Sequence, residues 1–224
     1  MDDAETETAE LTTALAKLRL DPGLCPPLVA ACAALQAFLR RCDVVHFDGP
    51  ALSEAGIQLL LKLLLEHDAG VFFVEDEVCL NAQGARDAYA DLRVQEVPAH
   101  GAPRLSTLVE VKYVRLGYLA GVGAPTTTRV IRRARLAQAH SDVHAPADWA
   151  AAAASDTLKS RDADSGKYLG LAHTRDAAVA QLRRYAALVP PGSQCAAVVV
   201  VGDRVFLFRV PGAAADGDAE AVAF

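Results

Sequence analysis

The run "VEVKYVR" at residues 109–115 has the composition of a β-strand but carries a glutamate and a lysine two residues apart. Strand side chains alternate between faces, so Glu110 and Lys112 are predicted to share one face. Val109, Val111 and Tyr113 are predicted to occupy the other. The shared face places a carboxylate beside an ammonium group. Taken alone, the pair is typical of a surface salt bridge.

Other strand-forming segments surround this run. "VFFVEDEVCL" (71–80) is rich in β-formers, and "AYADLRVQEV" (88–97) alternates apolar and polar residues after the turn "NAQG". Near the C-terminus, "CAAVVVV" (195–201) and "RVFLFRV" (204–210) flank Gly202 and Asp203 and predict a closing hairpin. The sequence therefore predicts a mixed sheet of about five strands.

Four segments are predicted to be helical: "LTTALAKLRL" (11–20), "PPLVAACAALQAFLRRC" (26–42), "SEAGIQLLLKLLLEHDAG" (53–70) and "TRDAAVAQLRRYAALV" (174–189). Ser53 and Thr174 are candidate N-caps. In the third helix, polar residues recur every four positions, and almost all others are apolar, so this helix is expected to be mostly buried. The four polar residues are Glu54, Gln58, Lys62 and Glu66.

These elements indicate an α/β protein with three parts. Residues 1–50 are predicted to form an N-terminal helical cap, and residues 51–210 the main domain. Glycines, the Ala-rich run and polar stretches between about 117 and 172 indicate an insertion that is partly helical. The tail, 211–224, is expected to be flexible.

Composition narrows the classes of function. The 224 residues are 52% hydrophobic, ample for a core, and carry a formal charge of -6, so nucleic-acid binding would need a local basic patch or a metal. The five cysteines form no C-x-x-C pair, which disfavours a disulfide framework or zinc site built from them. The acidic N-terminus and the lack of a long apolar run favour an intracellular protein, cytoplasmic or nuclear, without a membrane segment.

The order of helix, three strands, insertion, helix and strand pair resembles the PD-(D/E)XK nuclease superfamily, especially the domains found behind AAA-ATPase-like domains. The resemblance covers about residues 46–210 without the insertion and implies a restriction-endonuclease-like core. The matching stretches are "HFDGPALSEAGIQLLLKLLLEH", "FFVEDEV", "YADLRV", "LVEVKYVR" and "AAVAQLRRYAALV".

The resemblance implies that Asp91 and Glu110 bind a divalent metal, Mg²⁺ or Mn²⁺, and that Lys112 positions or activates the attacking water. It also implies that Gln181 and Tyr185, four residues apart on one helical face, line the same cleft. The chemistry is consistent, since Mg²⁺ prefers oxygen ligands and needs only one or two carboxylates beside a substrate phosphate.

Several assignments stay open at this stage. Asp87 is an alternative to Asp91, although a turn residue is the simpler interpretation of it. Relatives often carry a third acid, for which Glu66, Glu54 and Glu77 are candidates, but the first two equally fit a solvated helix stripe. Gln181 and Tyr185 also fit an ordinary amphipathic helix.

A basic stretch in the insertion, reinforced by two arginines on the last helix, is the candidate for contact with a phosphate backbone. A solvated helix face would give the same pattern. The arginines are Arg129, Arg132, Arg133, Arg135, Arg183 and Arg184.

The sequence lacks the motifs of several other enzyme classes. "HSDVH" (140–144) has histidines four apart but not the glutamate of H-E-x-x-H, and neither G-x-S-x-G nor a Walker sequence occurs. The sequence therefore predicts a metal-dependent nuclease acting on DNA or RNA. The alternative is a catalytically inactive nuclease-like fold that binds nucleic acid or a protein partner.

Overall fold

A computed structural model describes residues 24–42, 52–67, 72–80, 89–96, 106–119, 129–161, 166–190, 192–211 and 218–222. Within these ranges the chain is a mixed α/β fold, as the sequence predicts, with one six-stranded sheet flanked by helices. The predicted helix at 11–20 and the candidate Asp87 lie outside the described residues.

The elements follow one another in the predicted order of helices, strands, insertion, helix and strands. Before the insertion come α1 (Pro26–Arg41), α2 (Glu54–His67), β1 (Phe72–Cys79), β2 (Tyr89–Glu96), β3 (Ser106–Val114) and a 3-10 turn (Leu116–Tyr118). The insertion holds α3 (Arg129–His144), α4 (Trp149–Ala153), β4 (Lys159–Arg161) and β5 (Tyr168–Gly170). The described chain then continues with α5 (Leu171–Ala186), β6 (Gln194–Val201), β7 (Arg204–Val210) and β8 (Glu220–Val222).

The main sheet consists of two antiparallel groups joined by one parallel pairing. Its strand order is β1-β2-β3-β6-β7-β8, and only β3 and β6 run parallel. A parallel pair requires a long crossover connection, which the insertion and α5 provide. In the register of this pair, Glu110 lies beside Ala197 and Lys112 beside Val199.

The core surrounds β6, whose residues from Cys195 to Val201 are all buried. Such a continuous apolar run is typical of a central strand covered on both faces. Helix α5 packs on β3 and β6, while α1 packs on α2 and β7. The site described below therefore lies on β3, next to the most buried strand of the sheet.

Helix α2 begins where its sequence predicts, because the Gly56 N–H donates to the Ser53 hydroxyl at 3.1 Å as in an N-cap. The expectation that this helix is mostly buried is wrong for part of it. The helix buries one apolar side, formed by Ile57, Leu61 and Leu65, whereas Leu59 and Leu63 are 55% and 52% exposed. No helix among the described residues is long and apolar enough to cross a membrane.

The structure differs from the sequence prediction in three further places. The insertion is partly helical, as predicted, but it also contains its own two-stranded sheet, β4–β5. Helix α5 begins at Leu171 with Gly170 as its N-cap, so Thr174 lies inside the helix. Residues 220–222 of the expected flexible tail form β8 on the edge of the main sheet, paired with β7.

The β6–β7 turn depends on a glycine. Gly202 has φ +61°, and a Cβ added there would lie 2.7 Å from Leu116 Cδ2. We expect Gly202→Ala to lower the free energy of unfolding by about 1–3 kcal/mol, because it combines backbone strain with overpacking. Gly170→Ala is the matched control, since its Cβ would meet only the Ala153 carbonyl oxygen at 3.8 Å. Equal urea midpoints for the two variants would contradict this expectation.

Candidate active site

Strands β2 and β3 separate at the position of the predicted catalytic acids. Their pairing runs from Gln95 opposite Ser106 to Leu92 opposite Val109 and ends beside Asp91 and Glu110. Beyond that point the Val111 N–H donates to Asp91 Oδ2 at 2.7 Å. A carboxylate thus replaces a strand carbonyl as the partner of β3, which brings Asp91 to the strand that carries Glu110 and Lys112.

The same edge of β3 receives a second carboxylate from α2. The Tyr113 N–H donates to Glu54 Oε2 at 3.1 Å, and Glu54 is the first residue of the helix. Glu54 Oε1 lies 3.7 Å from Lys112 Nζ. The start of α2 is therefore fixed against the gap that opens between β2 and β3.

Glu110 and Lys112 form the centre of this gap. Lys112 Nζ donates to Glu110 Oε1 at 2.7 Å. The Glu110 side chain has no exposed surface, and its Oε2 is buried without a hydrogen-bond partner among the described residues. The side chains of Lys112 and Glu54 are 24% and 43% exposed, so solvent reaches the site from their side. Glu54, Asp91, Glu110 and Lys112 are called the carboxylate cluster below.

The polar stripe on α2 faces the strands rather than bulk solvent. Gln58 hydrogen-bonds to the Asp91 carboxyl group, and Lys62 pairs with Asp76 of β1 at 3.0 Å. Successive members of the stripe, from Glu54 to Lys62, thus contact β3, β2 and β1 in turn. The sequence alone does not identify Gln58 as a site residue. The available signal is its position four residues after Glu54 on the same face of the helix.

Of the acids considered for the third position, Glu54 is the one in the carboxylate cluster. Glu66 is near Lys62, with 3.9 Å between the charged atoms, at the far end of the helix. Glu77 of β1 is exposed and has φ +48°. It falls between Asp76 and Val78, which pair with Leu92 and Ala90 of β2. Left-handed backbone in a residue other than glycine is strained and is often retained at functional sites.

Crowding of negative charge shifts the protonation of this cluster. Burial, together with the charge of Asp91, raises the pKa of Glu110 to about 7 from 4.5, despite the attraction of Lys112. Burial also raises the pKa of Asp91, against its hydrogen bond from Val111. Burial alone would lower the pKa of Lys112, but Glu110 and the other carboxylates outweigh it and raise that pKa. The lysine is therefore charged at neutral pH.

The raised pKa of Glu110 makes stability depend on pH. Between pH 4.5 and about 7 the folded chain holds a proton that the unfolded chain has released, so stability falls as the pH rises through this window. The difference between a pKa of about 7 in the folded chain and 4.5 in the unfolded chain corresponds to a loss of stability on the order of 3 kcal/mol by pH 8. In EDTA, we expect Glu110→Gln to reduce this slope, as measured by urea unfolding at pH 5 and pH 8, while Asp91 keeps a smaller pH dependence. Parallel pH profiles for the two proteins would contradict it.

Gln181 and Tyr185 lie together on α5, as their spacing predicts. Gln181 Nε2 donates to the Tyr185 hydroxyl at 3.0 Å, and Tyr185 is 7% exposed. Their helix packs on β3 and β6. Among the described residues, no hydrogen bond joins either side chain to Glu110 or Lys112. Their place in the same cleft stays a prediction.

The predicted basic surface is only partly described. Arg133 and Arg135 of α3 are exposed, as are Arg183 and Arg184 of α5, whereas the side chains of Arg129 and Arg132 lie outside the described residues. Exposed guanidinium groups are suited to phosphate oxygens. Their exposure is equally typical of a solvated helix face.

The donor set of the carboxylate cluster fits a hard divalent cation. Three carboxylates lie around one lysine, and Glu110 Oε2 is a buried oxygen without a partner among the described residues. Oxygen donors of this kind are those that Mg²⁺ and Mn²⁺ prefer. A cation would also offset the repulsion between the Asp91 and Glu110 carboxylates, which adds to the effect of burial in raising the pKa of Glu110. Asp91 and Glu110, on the neighbouring strands β2 and β3, are the two carboxylates that could hold it.

No family model matches this chain, and neither the curated proteins nor the solved structures include a significant match. The function is therefore inferred from the geometry of the described residues.

Proposed function

We propose that this chain is a metal-dependent nuclease with a restriction-endonuclease-like core, and that Glu54, Asp91, Glu110 and Lys112 form its active site. The observation that carries the proposal is the buried Glu110, held 2.7 Å from Lys112 where Asp91 replaces the strand pairing of β3. Buried ionisable groups with mutually perturbed pKa values are concentrated at functional sites.

Each residue has a role that follows from its position. Asp91 and Glu110 would hold Mg²⁺ or Mn²⁺, which polarises a phosphoryl oxygen and lowers the pKa of bound water. Lys112, charged and partly exposed, would stabilise the negative charge that develops on the phosphate. Glu54 keeps Lys112 at the mouth of the gap, and Gln58 orients Asp91.

Nucleic acid is the substrate class that this chemistry favours. A phosphodiester supplies the oxygens that complete the coordination of a hard cation. Because the net charge is -6, binding would rely on local cations, and the exposed arginines of α3 and α5 are the candidates.

The test is cleavage of circular DNA, single-stranded DNA and RNA with Mg²⁺, Mn²⁺ or EDTA. We expect metal-dependent cleavage by the wild type and a loss of cleavage in Asp91→Asn, whose amide oxygen can still accept the Val111 N–H. Glu66→Gln is the matched control, because it removes an acid outside the carboxylate cluster and should leave the rate unchanged. Cleavage that persists in Asp91→Asn would overturn the mechanism.

The same contacts also fit an alternative function without catalysis. Asp91 and Glu54 each accept a backbone N–H from the free edge of β3, which gives both carboxylates a structural role without chemistry. Absence of both cleavage and metal binding would favour a nuclease-like fold that binds nucleic acid or a protein partner.

A further inference from the structure

Two histidines of the insertion meet a buried aspartate from the main sheet. His140 and His144 are four residues apart on α3 and therefore lie on the same face of that helix. Their Nε2 atoms lie 3.0 and 2.8 Å from Asp203 Oδ2 and Oδ1, respectively. Asp203 belongs to the β6–β7 turn, so the group joins segments that are distant in sequence.

The position of Asp203 is fixed by the turn around it. The Gly202 N–H donates to the Val114 carbonyl oxygen at 2.9 Å, and Gly202 packs against Leu116. On the other side, Arg204 donates to the carbonyl oxygens of Val143 and Pro146, which lie just before and two residues after His144. The end of α3 and the turn are therefore held together by contacts that do not involve the three side chains themselves.

The distances suit a transition metal. One ligand atom from each residue can be chosen so that all lie within 4.8 Å of one another. In a tetrahedral Zn²⁺ site with ligands at about 2.0 Å, neighbouring ligand atoms are about 3.3 Å apart. The observed separations of 2.8 and 3.0 Å run to the two different oxygens of Asp203, so only one of them can be such an edge when one oxygen binds. The chosen ligand atoms lie within 4.8 Å of one another and would need to move closer by at most about 1.5 Å. Two imidazoles and one carboxylate are a ligand set found in zinc sites with an open fourth position.

Burial supports the same assignment. The Asp203 side chain is 4% exposed, and both of its carboxylate oxygens contact the imidazoles. The histidines are 35% and 31% exposed, so the group is closed on the aspartate side and open to solvent on the other. Solvent can therefore reach the remaining position.

We propose that His140, His144 and Asp203 form a Zn²⁺ site, completed by a solvent molecule, that fastens α3 to the β6–β7 turn. The site does not depend on the proposed nuclease activity, because none of its ligands belongs to the carboxylate cluster. Its ligands also differ in type: nitrogen donors favour Zn²⁺ over the Mg²⁺ that all-oxygen sites take.

The first test uses the EDTA-stripped full chain and needs no variant. Titration with Co²⁺ in the presence of excess Mg²⁺ is expected to give the visible bands of a tetrahedral site at one equivalent, without a thiolate charge-transfer band. A thiolate band would assign the metal to the cysteines and overturn the proposal, as would the absence of saturable binding.

The second test locates the site with Zn²⁺ calorimetry. We expect His140→Gln and His144→Gln each to weaken affinity by at least about 100-fold, since losing outer-shell partners alone costs about 10–100-fold. His173→Gln, which alters an exposed histidine of α5 outside both proposed metal sites, is the control that should bind as tightly as the wild type. Circular dichroism confirms that the variants fold. Unchanged affinity in folded His140 and His144 variants, or equal weakening in the His173 variant, would overturn the assignment.

Discussion

Replacing Lys112 with methionine is expected to slow phosphodiester cleavage by about 10²–10³-fold, the usual cost of removing one group that stabilises charge in a transition state. Methionine keeps a flexible apolar stem of similar length, so the packing beside Glu110 should persist while the positive charge is lost. Lys112 Nζ lies 2.7 Å from Glu110 Oε1 and its side chain is 24% exposed, so it can contact both the acid and a bound phosphate.

The measurement is the single-turnover rate on a short labelled nucleic acid with saturating Mn²⁺. Lys159→Met is the matched control, because Lys159 pairs with Asp156 at 3.4 Å on β4, away from the carboxylate cluster. A Lys112→Met rate within a few-fold of the control would remove lysine from the mechanism. It would leave the carboxylates without their proposed cationic partner in catalysis.

The largest stability effect is expected from Phe208→Ala. Phe208 of β7 is fully buried, and Trp149 packs edge-on against it with ring centroids 4.9 Å apart. Deleting a buried aromatic ring costs about 3–5 kcal/mol through lost burial and the cavity that remains. Phe73→Ala, at an exposed position on β1, is the control and should change stability by less than about 0.5 kcal/mol.

Urea unfolding followed by the fluorescence of Trp149, the single tryptophan, reports directly on this contact. A loss below about 1 kcal/mol for Phe208→Ala would show that α4 does not pack against β7 as described. The result would also bear on the insertion, because α4 belongs to it and covers this part of the sheet.

Local patterns in the sequence predict much of the fold. The alternation in "AYADLRVQEV" predicts β2, the apolar run "CAAVVVV" predicts a buried β6, and Ser53 caps α2 as expected. Each of these depends on neighbours in sequence, where periodicity and capping chemistry are strong signals. The expectation that α2 is mostly buried failed because periodicity does not report how wide a surface the sheet offers the helix.

Some features of the two sites could not be predicted from the sequence because they depend on contacts between residues that are distant in the chain. The sequence gives no signal for Glu54 other than its place among the evenly spaced polar residues of α2. Only the packing of α2 against β3 brings Glu54 to Lys112. The spacing of His140 and His144 was visible, but Asp203 lies in a hairpin turn 63 and 59 residues away. Rules based on residue spacing describe a single helix or strand. They therefore cannot predict which residues of different elements come into contact.

The parallel pairing of β3 with β6 also has a kinetic consequence. Ser106 and Ser193, which hydrogen-bond at 3.1 Å where the two strands begin, are 87 residues apart in the chain. Closing so long a loop costs conformational entropy before the contacts between β3 and β6 form. Each antiparallel group of the sheet should therefore gain structure before β3 pairs with β6. Formation of the β3–β6 pairing should therefore limit the refolding rate. The hairpins on either side should already be present in the rate-limiting transition state.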